Sequence, residues 1–446
     1  MVHTAIIGIG GFGGTHVQAL ETLEAEGRVR LIAVAEKDWE RNGESIERLK
    51  AKGVRMYTDY HEMLRAHAVH GARERSVDLV TIATPLHLHP PMTIEALRAG
   101  YHVLTEKPPA VTIQDLRAMR RAEEESGMWC GVDFQLLSGK AFRKLQELVL
   151  EGALGDLLEI VGVGKWKRLD RYYERASWPG KVRLGDDFVL DGPINNPLSH
   201  ILNNVLHLAR SDSSRVTFSG EMDPPVRVRG ELYRGHPIEG EDTSCLAAEL
   251  EHGCRVYFYA TLCHTENEPP WIEAVGTKGK ALWTRDRALR IEYRDGRSEA
   301  ISFEDRDRGH HVNMFRNFVD VLEGNPAEGQ GSRGAGGSPQ LPSSSAPPLP
   351  LEGKADRLLC PLADTEHFVL VSNGAYESAG NIVPIGAEHL RRYPEDDSMA
   401  TEVVDIGAII EEAARKRKLF SEIGVPWARR TAWFDVRGYE EFRGFG

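Results

Sequence analysis

The sequence contains no run of about 18 consecutive apolar residues, the length that a helix needs to cross a bilayer, and this excludes an integral membrane protein. Basic residues are also in the minority: 55 Lys and Arg stand against 67 Asp and Glu, which gives a formal net charge of −12. Such a chain has no broad positive surface for a phosphate backbone. We therefore expect neither a membrane nor a nucleic acid among its partners.

Cysteine is scarce: the five cysteines are scattered, odd in number and form no C-x-x-C pair. This usage is typical of a reducing compartment rather than of a disulfide framework. The segment from Met1 to Gly8 lacks the basic region and long apolar stretch of a secretion signal, so we expect a cytoplasmic protein. No metal site is expected, because His87 and His89 have no carboxylate or thiolate nearby at ligand spacing.

The 446 residues are enough for two well-buried domains. Between Thr4 and about Val132, short β-branched runs alternate with amphipathic stretches. This pattern predicts an α/β fold that begins with a doubly wound Rossmann domain over residues 1–130, with a helix after each of the first five strands. The predicted strands are Thr4 to Ile9, Val29 to Ala35, Arg55 to Tyr57, Val77 to Ala83, His102 to Thr105 and Trp129 to Val132.

Longer segments of alternating polarity follow Gly131 and predict a second, α+β domain over residues 131–385, built on an open and largely antiparallel sheet. These segments are Leu158 to Trp166, Leu246 to Leu262 and Trp271 to Trp283. Residues 324–353 are dominated by Gly, Pro and Ser, so we expect a flexible insertion there. Residues 386–446 should form a helix over 406–423 and an aromatic tail that packs on a domain or a partner subunit. An exposed sheet face would favour a homodimer or homotetramer.

A glycine-rich turn, Gly8-Ile9-Gly10-Gly11-Phe12-Gly13, joins the first predicted strand to the first helix. Gly8 permits the tight turn, Gly10 lets the backbone approach a pyrophosphate, and Gly13 allows close contact between helix and strand. The second strand ends before Glu36, whose carboxylate can accept hydrogen bonds from an adenosine ribose. Glu36 therefore favours NAD. Lys37 could offset part of its repulsion of a ribose 2′-phosphate, so NADP stays an alternative.

Two more loops follow the fourth and fifth strands, at the edge of the sheet where ligands bind. They contain Thr84-Pro85 with His89, and Glu106-Lys107-Pro108. Together with the glycine turn and Glu36, these residues resemble the Gfo/Idh/MocA family (glucose-fructose oxidoreductase, inositol dehydrogenase and rhizopine catabolism) over residues 3 to 385. The resemblance implies a nicotinamide-dependent reaction at a secondary alcohol of a sugar or cyclitol. It also implies that Lys107 is the active-site lysine and that the bond from Lys107 to Pro108 is cis.

The residues expected to bind the cofactor share a place at these strand ends. They are Gly8, Gly10, Gly11, Phe12, Gly13, Glu36, Lys37, Thr84, Pro85, His89, Glu106 and Lys107.

Two side chains are the candidate catalytic groups. The ammonium of Lys107 can stabilise negative charge on a substrate oxygen as its proton leaves. By resemblance, His200 matches the family's second-domain histidine, and its ordinary pKa near 6.5 suits a general base. Asn196 and Asn203 stand where the family has aspartates, so Asp191 is considered as a substitute carboxylate. We expect folding to bring Lys107 and His200 to opposite sides of one carbinol.

The polar and aromatic segment from Trp166 to Gly180 is a candidate substrate loop, because aromatic faces stack on sugar rings and guanidinium groups bind hydroxyls or carboxylates. A packed loop that only covers the sheet is the alternative. The residues expected to bind substrate are Lys107, Trp166, Arg168, Tyr172, Trp178, Asn196 and His200.

Three functions remain open from the sequence. The leading one is an NAD(P)-dependent oxidoreductase that transfers a hydride between nicotinamide and a secondary alcohol of a sugar, cyclitol or sugar derivative. The second is a redox-neutral, glycosidase-like enzyme with tightly bound NAD. The third is a catalytically inactive dinucleotide-binding protein, for which Asn196 and Asn203 are the motivating residues.

Overall fold

The computed structural model describes residues 1–68, 76–209, 222–285, 288–303, 310–324 and 357–445. The chain divides into two compact units. Unit 1 comprises Met1–Ala110, Asp115–Gly139 and Arg308–Thr365, and unit 2 comprises Val111–Gln114, Lys140–Asp307 and Glu366–Gly446. The predicted insertion over residues 324–353 lies outside the described residues, except for the glycine at 324.

The described strands are β1 Val2–Ile7, β2 Val29–Ala35, β3 Arg55–Tyr57, β4 Leu79–Ile82, β5 His102–Glu106, β6 Cys130–Asp133, β7 Leu157–Lys165, β8 Arg183–Leu184, β9 Asp187–Phe188, β10 Pro225–Arg234, β11 Thr243–Leu250, β12 Arg255–Thr261, β13 Trp271–Gly276, β14 Gly279–Thr284, β15 Ala288–Tyr293, β16 Ser298–Ser302, β17 Val383–Pro384, β18 Leu390–Glu395, β19 Ser398–Val403 and β20 Phe434–Asp435. The α-helices are α1 Gly13–Ala25, α2 Gly43–Ala51, α3 Tyr60–His67, α4 His89–Arg98, α5 Ile113–Ser126, α6 Lys140–Leu150, α7 Asp170–Glu174, α8 Ser199–Leu208, α9 His310–Gly324, α10 Glu366–Ala379 and α11 Ile406–Lys416.

Unit 1 contains a six-stranded sheet in the order β3-β2-β1-β4-β5-β6, and all of its neighbouring strands are parallel. Each of the first five strands is followed by a helix, as the sequence predicts. The strand order reverses between β1 and β4, and this is the place where open α/β sheets bind ligands. The predicted doubly wound Rossmann fold is confirmed.

Helix α9 belongs to unit 1, although the predicted boundaries placed its residues in the second domain. Its apolar stripe, which includes Phe315 and Phe318, joins the same buried cluster as Val17 and Leu20 of α1. Arg28 reinforces this packing through ion pairs with carboxylates on α9. A helix placed late in the sequence therefore completes the core beneath the glycine turn.

Unit 2 contains a ten-stranded mixed sheet, in which β7 pairs in parallel with β12 and the remaining central pairs are antiparallel. The predicted second domain with a largely antiparallel sheet is confirmed. Its long predicted segments split at turns: residues 246–262 form most of β11 and β12, and residues 271–283 form β13 and most of β14. Successive side chains along these strands point to opposite sides of the sheet, as the alternating polarity indicates.

Helix α8 lies against one face of this sheet because β7 carries glycine at the contact. A Cβ atom on Gly162 would lie 2.8 Å from Ile201, and one on Gly164 would lie 2.6 Å from Leu198. The intervening side chains of Val161 and Val163 point to the opposite face. Substitution of either glycine would therefore push α8, which carries His200, away from the strand.

The opposite face of the sheet is covered by the C-terminal segment. Val161 and Val163 share a buried cluster with Ile406 and Ile410 of α11. The predicted oligomer was inferred from an exposed sheet face. The described central strands have no such face, because α11 covers them. The predicted helix over 406–423 ends earlier, because Arg417 adopts a left-handed backbone with φ of 57°.

The aromatic tail packs on unit 2. Strand β20 pairs with β10, and the ring of Phe442 is buried against Phe188 and Tyr376. Among the described residues, no helix has both the length and the apolar character required to cross a membrane.

Candidate functional site

The glycine turn between β1 and α1 is closely packed. Gly8 has a left-handed backbone with φ of +86°, and a Cβ atom there would lie 2.6 Å from the carbonyl oxygen of Ala83. A Cβ atom on Gly13 would overlap the carbonyl oxygen of Gly8, which is backbone and cannot rotate away. The turn therefore requires glycine at both positions, as the sequence analysis expected.

Two N–H groups of this turn are available for a ligand. The N–H groups of Gly13 and Thr15 donate to carbonyls within the turn, whereas in the described part of the chain those of Gly11 and Phe12 face no acceptor. A Cβ atom on Gly11 would meet nothing within 4 Å, so the space beside the turn is open. Free N–H groups at the start of a helix are suited to phosphate oxygens, and the turn therefore fits a dinucleotide pyrophosphate.

Glu36 follows β2 and is tied to the glycine turn. Its Oε2 accepts hydrogen bonds from the N–H groups of Ile9, at 2.8 Å, and Gly10, at 3.2 Å, while its Oε1 accepts from Asp38 at 2.7 Å. These bonds fix a buried carboxylate beside the place where the pyrophosphate fits. Lys37 is exposed. An anionic oxygen held here suits a ribose diol better than a ribose 2′-phosphate.

His89 connects the loops after β4 and β5. Its Nε2 lies 2.7 Å from the carbonyl oxygen of Thr84, and its Nδ1 lies 2.7 Å from that of Pro108. Burial lowers the pKa of this histidine. His89, which is predicted as a cofactor contact, therefore holds the Thr84-Pro85 loop and the lysine loop in fixed positions relative to each other.

The lysine loop starts at the end of β5. The bond between Lys107 and Pro108 is cis, as the resemblance implies. The N–H of Lys107 donates to Oε2 of Glu106 at 3.1 Å. Glu106 thus shapes the backbone that carries the candidate catalytic lysine.

Beneath this loop lies a buried ionic cluster that comprises His16, Glu106, Asp133 and His311. Nε2 of His16 lies 2.9 Å from Glu106 and 3.4 Å from Asp133, and Nδ1 of His311 lies 3.3 Å from Asp133. Burial opposes a charged imidazole, but the hydrogen bonds to the two carboxylates outweigh it and raise the pKa of His16 to about 9. Ligand atoms of His16, Glu106 and Asp133 lie within 4.8 Å of one another, but a protonated imidazole donates hydrogen bonds and has no lone pair to offer a metal ion.

In unit 2, His200 is the second residue of α8 and is buried. Asn196, four residues earlier, donates from Nδ2 to Oδ1 of Asp191 at 3.0 Å. Asp191 is fixed by a 2.6 Å hydrogen bond from the N–H of Gly180 to its Oδ2. These two hydrogen bonds place the Asp191 carboxylate against the side chain of Asn196, where the sequence considered Asp191 as a substitute acid.

The candidate substrate loop stacks aromatic rings against guanidinium groups. Arg168 lies 4.9 Å from the ring centre of Trp166 and 5.0 Å from that of Tyr172. Arg175 lies 3.7 Å from the ring centre of Tyr172 and 4.9 Å from that of Trp178. We call these five residues the stacked ladder. Tyr172 Oη also lies 3.5 Å from Asn196 Nδ2, which places the ladder beside the Asp191 carboxylate.

Comparison with known proteins agrees with this geometry. The family model described as "Oxidoreductase family, NAD-binding Rossmann fold" matches residues 2–134, and the model "GFO/IDH/MocA C-terminal domain" matches residues 142–282. D-xylose dehydrogenase of Paenarthrobacter nicotinovorans is 34% identical over 269 residues, which are 56% of this chain and 69% of the relative.

The chain belongs to the Gfo/Idh/MocA oxidoreductase family.

Other relatives also match part of the Gfo/Idh/MocA chain. Levoglucosan dehydrogenase of Pseudarthrobacter phenanthrenivorans is 25% identical over 52% of this chain, and the match spans 60% of that relative. Other matches are shorter, such as one that spans 24% of a 1,5-anhydro-D-fructose reductase from Ensifer adhaerens. The chain is also similar to a solved structure, the WlbA dehydrogenase from Bordetella pertussis in complex with NADH and UDP-GlcNAcA. The two superpose with a TM-score of 0.62 at 21% sequence identity, and the match covers 85% of this chain and 96% of the WlbA chain. That likeness supports the fold.

Sequence reasoning missed three groups of the Gfo/Idh/MocA site region. His16 and Asp133 were not singled out, although His16 lies one helical turn after Gly13 and so faces the strand ends. Glu241 was also missed: burial raises its pKa to about 8, and the Tyr376 hydroxyl donates to it. A Cβ atom on Gly192 would overlap the Glu241 carboxyl, so the glycine before Pro193 makes room for this acid.

Proposed function

We propose that this protein is an NAD(P)-dependent oxidoreductase that transfers a hydride between a nicotinamide cofactor and a secondary alcohol of a sugar, cyclitol or sugar derivative. The observation that carries the proposal is the glycine turn, whose Gly11 and Phe12 N–H groups face open space beside the fixed carboxylate of Glu36. Relatives named D-xylose dehydrogenase and levoglucosan dehydrogenase act on substrates of this class. When bound, the nicotinamide supplies or accepts the hydride.

The proposed cofactor contacts are divided between the strand ends of unit 1. The glycine turn binds the pyrophosphate, and Glu36 accepts hydrogen bonds from the adenosine ribose, which favours NAD over NADP. Lys37 is exposed beside it and could face a ribose 2′-phosphate. Thr84, Pro85, His89, Glu106 and Lys107 complete the predicted set on the loops after β4 and β5.

The proposed chemistry uses two side chains, Lys107 and His200. Lys107 holds its ammonium toward the substrate oxygen and stabilises the negative charge that develops there. His200 takes the hydroxyl proton, and Asp191 acts through Asn196 to orient the polar groups around it. Trp166, Arg168, Tyr172 and Trp178 bind the remainder of the sugar.

Replacement of Lys107 by methionine tests this proposal. Because the variant loses the charge that stabilises the reacting oxygen, we expect turnover with a panel of sugars and cyclitols to fall about a hundredfold or more, while NADH binding is retained. Lys52→Met, on an exposed ion pair of unit 1, is the matched control and should behave like the wild type. Equal turnover in Lys107→Met and the control would contradict the assigned role.

The same panel separates the competing functions. Accumulation of NADH with a sugar supports the proposed dehydrogenase. Release of a glycosidic substituent without NADH would indicate redox-neutral chemistry with retained NAD. Cofactor binding without any product would indicate a protein that has lost catalysis.

Compartment and assembly are part of the proposal as well. All five cysteines are buried and none forms a disulfide among the described residues, which supports a cytoplasmic protein. We retain a homodimer or homotetramer, and place its contact away from the central strands that α11 covers. Light scattering on the purified chain measures the assembly directly.

A further inference from the structure

The stacked ladder contains two arginines whose charges are not matched by the protein. The other basic side chains of this segment have acidic partners: Lys167 pairs with Glu395, Arg171 with Asp396, and Lys181 with Glu239. In the described part of the chain, no carboxylate lies within 4 Å of the guanidinium of Arg168 or Arg175. Two cations without counterions among the described residues thus lie against the ring of Tyr172.

The hydrogen bonds of these guanidinium groups leave donors available. Arg168 donates from Nη1 to the carbonyl of Lys167 at 2.8 Å and to Asn267 at 3.1 Å. Its Nε is buried and has no hydrogen-bond partner among the described residues. Arg175 donates from Nη1 to the carbonyl of Tyr172. Each arginine therefore uses Nη1 to fix its position and keeps Nη2 for another acceptor.

The stacking determines what that acceptor can be. Aromatic rings lie against both guanidinium groups, and a guanidinium presents its remaining N–H donors in a fork that matches two oxygens of one planar or tetrahedral anion. A fixed guanidinium has also lost side-chain freedom before the ligand arrives, which lowers the entropic cost of binding. A neutral hydroxyl would leave the charge of each arginine uncompensated.

We propose that Arg168 and Arg175 of the stacked ladder bind an oxyanion, a carboxylate or a phosphate, carried by the sugar substrate. The inference rests on the proposed function, because it names the class of sugar on which the oxidoreductase acts. The contact from Tyr172 to Asn196 places this oxyanion site next to the helix that carries His200. The anionic group would thus anchor the sugar while a neighbouring hydroxyl reacts.

The experiment compares matched neutral and anionic sugars. Glucose, galactose and xylose are set beside glucuronate, galacturonate and the hexose 6-phosphates, with NAD for turnover and with NADH for calorimetric binding. We expect at least one anionic sugar to bind tenfold or more tightly than its neutral counterpart. Preference for the uronates identifies a carboxylate, and preference for the 6-phosphates identifies a phosphate. Equal or weaker binding by every anionic sugar overturns the inference.

Two variants assign the effect to the ladder. Arg175→Gln alters an exposed side chain and should fold normally; we expect it to weaken anionic-sugar binding at least tenfold and to leave neutral-sugar binding unchanged. Arg171→Gln, four residues earlier on α7 but paired with Asp396, is the control and should retain wild-type affinity. Arg168→Gln should also weaken anionic-sugar binding at least tenfold. Equal losses in Arg175→Gln and Arg171→Gln would show a general surface charge effect and refute the site.

The two proposals can fail separately. Tight binding of an anionic sugar without NADH formation from any substrate would contradict the proposed oxidoreductase and leave the oxyanion site standing. NADH formation from neutral sugars without preference for an anion would support the oxidoreductase and contradict the oxyanion site.

Discussion

The buried cluster around His16 gives a prediction about stability and pH. The folded state raises the pKa of His16 from 6.5 to about 9, because hydrogen bonds and charges from Asp133 and Glu106 outweigh the cost of burial. A histidine with a raised pKa contributes stability that is fully present below pH 6.5 and is lost as the pH rises through about 9. At about 1.4 kcal/mol for each pH unit between the two pKa values, the contribution is about 3 kcal/mol.

His16→Gln is the variant that isolates this contribution. The glutamine amide can still donate to one carboxylate, but it carries no charge between Glu106 and Asp133. We expect the wild type to exceed the variant in free energy of unfolding near pH 6.5. As the pH rises past 9, this difference should shrink by about 3 kcal/mol. Titrating groups that do not contact His16 are common to both proteins and cancel in the difference.

Urea unfolding across this pH range, followed by tryptophan fluorescence, provides the measurement. His61→Gln is the control, because His61 forms a half-exposed pair with Glu95 and such pairs contribute about 0.2–1 kcal/mol. Parallel stability curves for the wild type and His16→Gln would refute the assignment of a charged His16 to the folded state. A shift of the same size in His61→Gln would show that the effect is not specific to the buried cluster.

Two further predictions concern close packing and a buried acid. Gly13→Ala should unfold at lower urea concentration and lose NADH binding, because its Cβ atom would overlap the carbonyl oxygen of Gly8. In the control Gly14→Ala the added Cβ atom has its nearest neighbour at 3.9 Å, so this variant should bind NADH normally. Equal behaviour of the two variants would contradict the close packing at Gly13. Burial raises the pKa of Glu241 from 4.5 to about 8, so the wild type should lose stability as the pH rises from about 4.5 through 8. Glu241→Gln should lose less stability over that range. Melting temperatures that fall in parallel in both proteins would contradict a buried neutral acid.

The sheet of unit 1 could be predicted because its signals are local. The predicted strand over 29–35 coincides with β2, since a short β-branched run is bounded by turn residues on each side. The glycine turn and Glu36 were found in the same way, because their chemistry depends on spacing along the chain. Asp191 also lies close in sequence to Asn196, so its substitute role could be suggested.

The remaining features depend on contacts that sequence spacing does not encode. His16 meets Glu106 across 90 positions, and no local pattern connects them. The grouping of α9 with unit 1 follows from packing of Phe315 and Phe318 against α1, which the sequence shows only as another amphipathic helix. The early end of α11 depends on the left-handed residue Arg417, and nothing in its side chain marks that conformation.

The placement of α11 has a consequence for how this protein can be shortened. Tyr257 and Tyr259 lie in the same apolar cluster as α11, so the chain supplies internally the cover that an identical subunit could otherwise provide. A chain that stopped before Ile406 would present these rings to water. Removal of the C-terminal segment would thus expose an apolar sheet face that favours association with another copy of the chain.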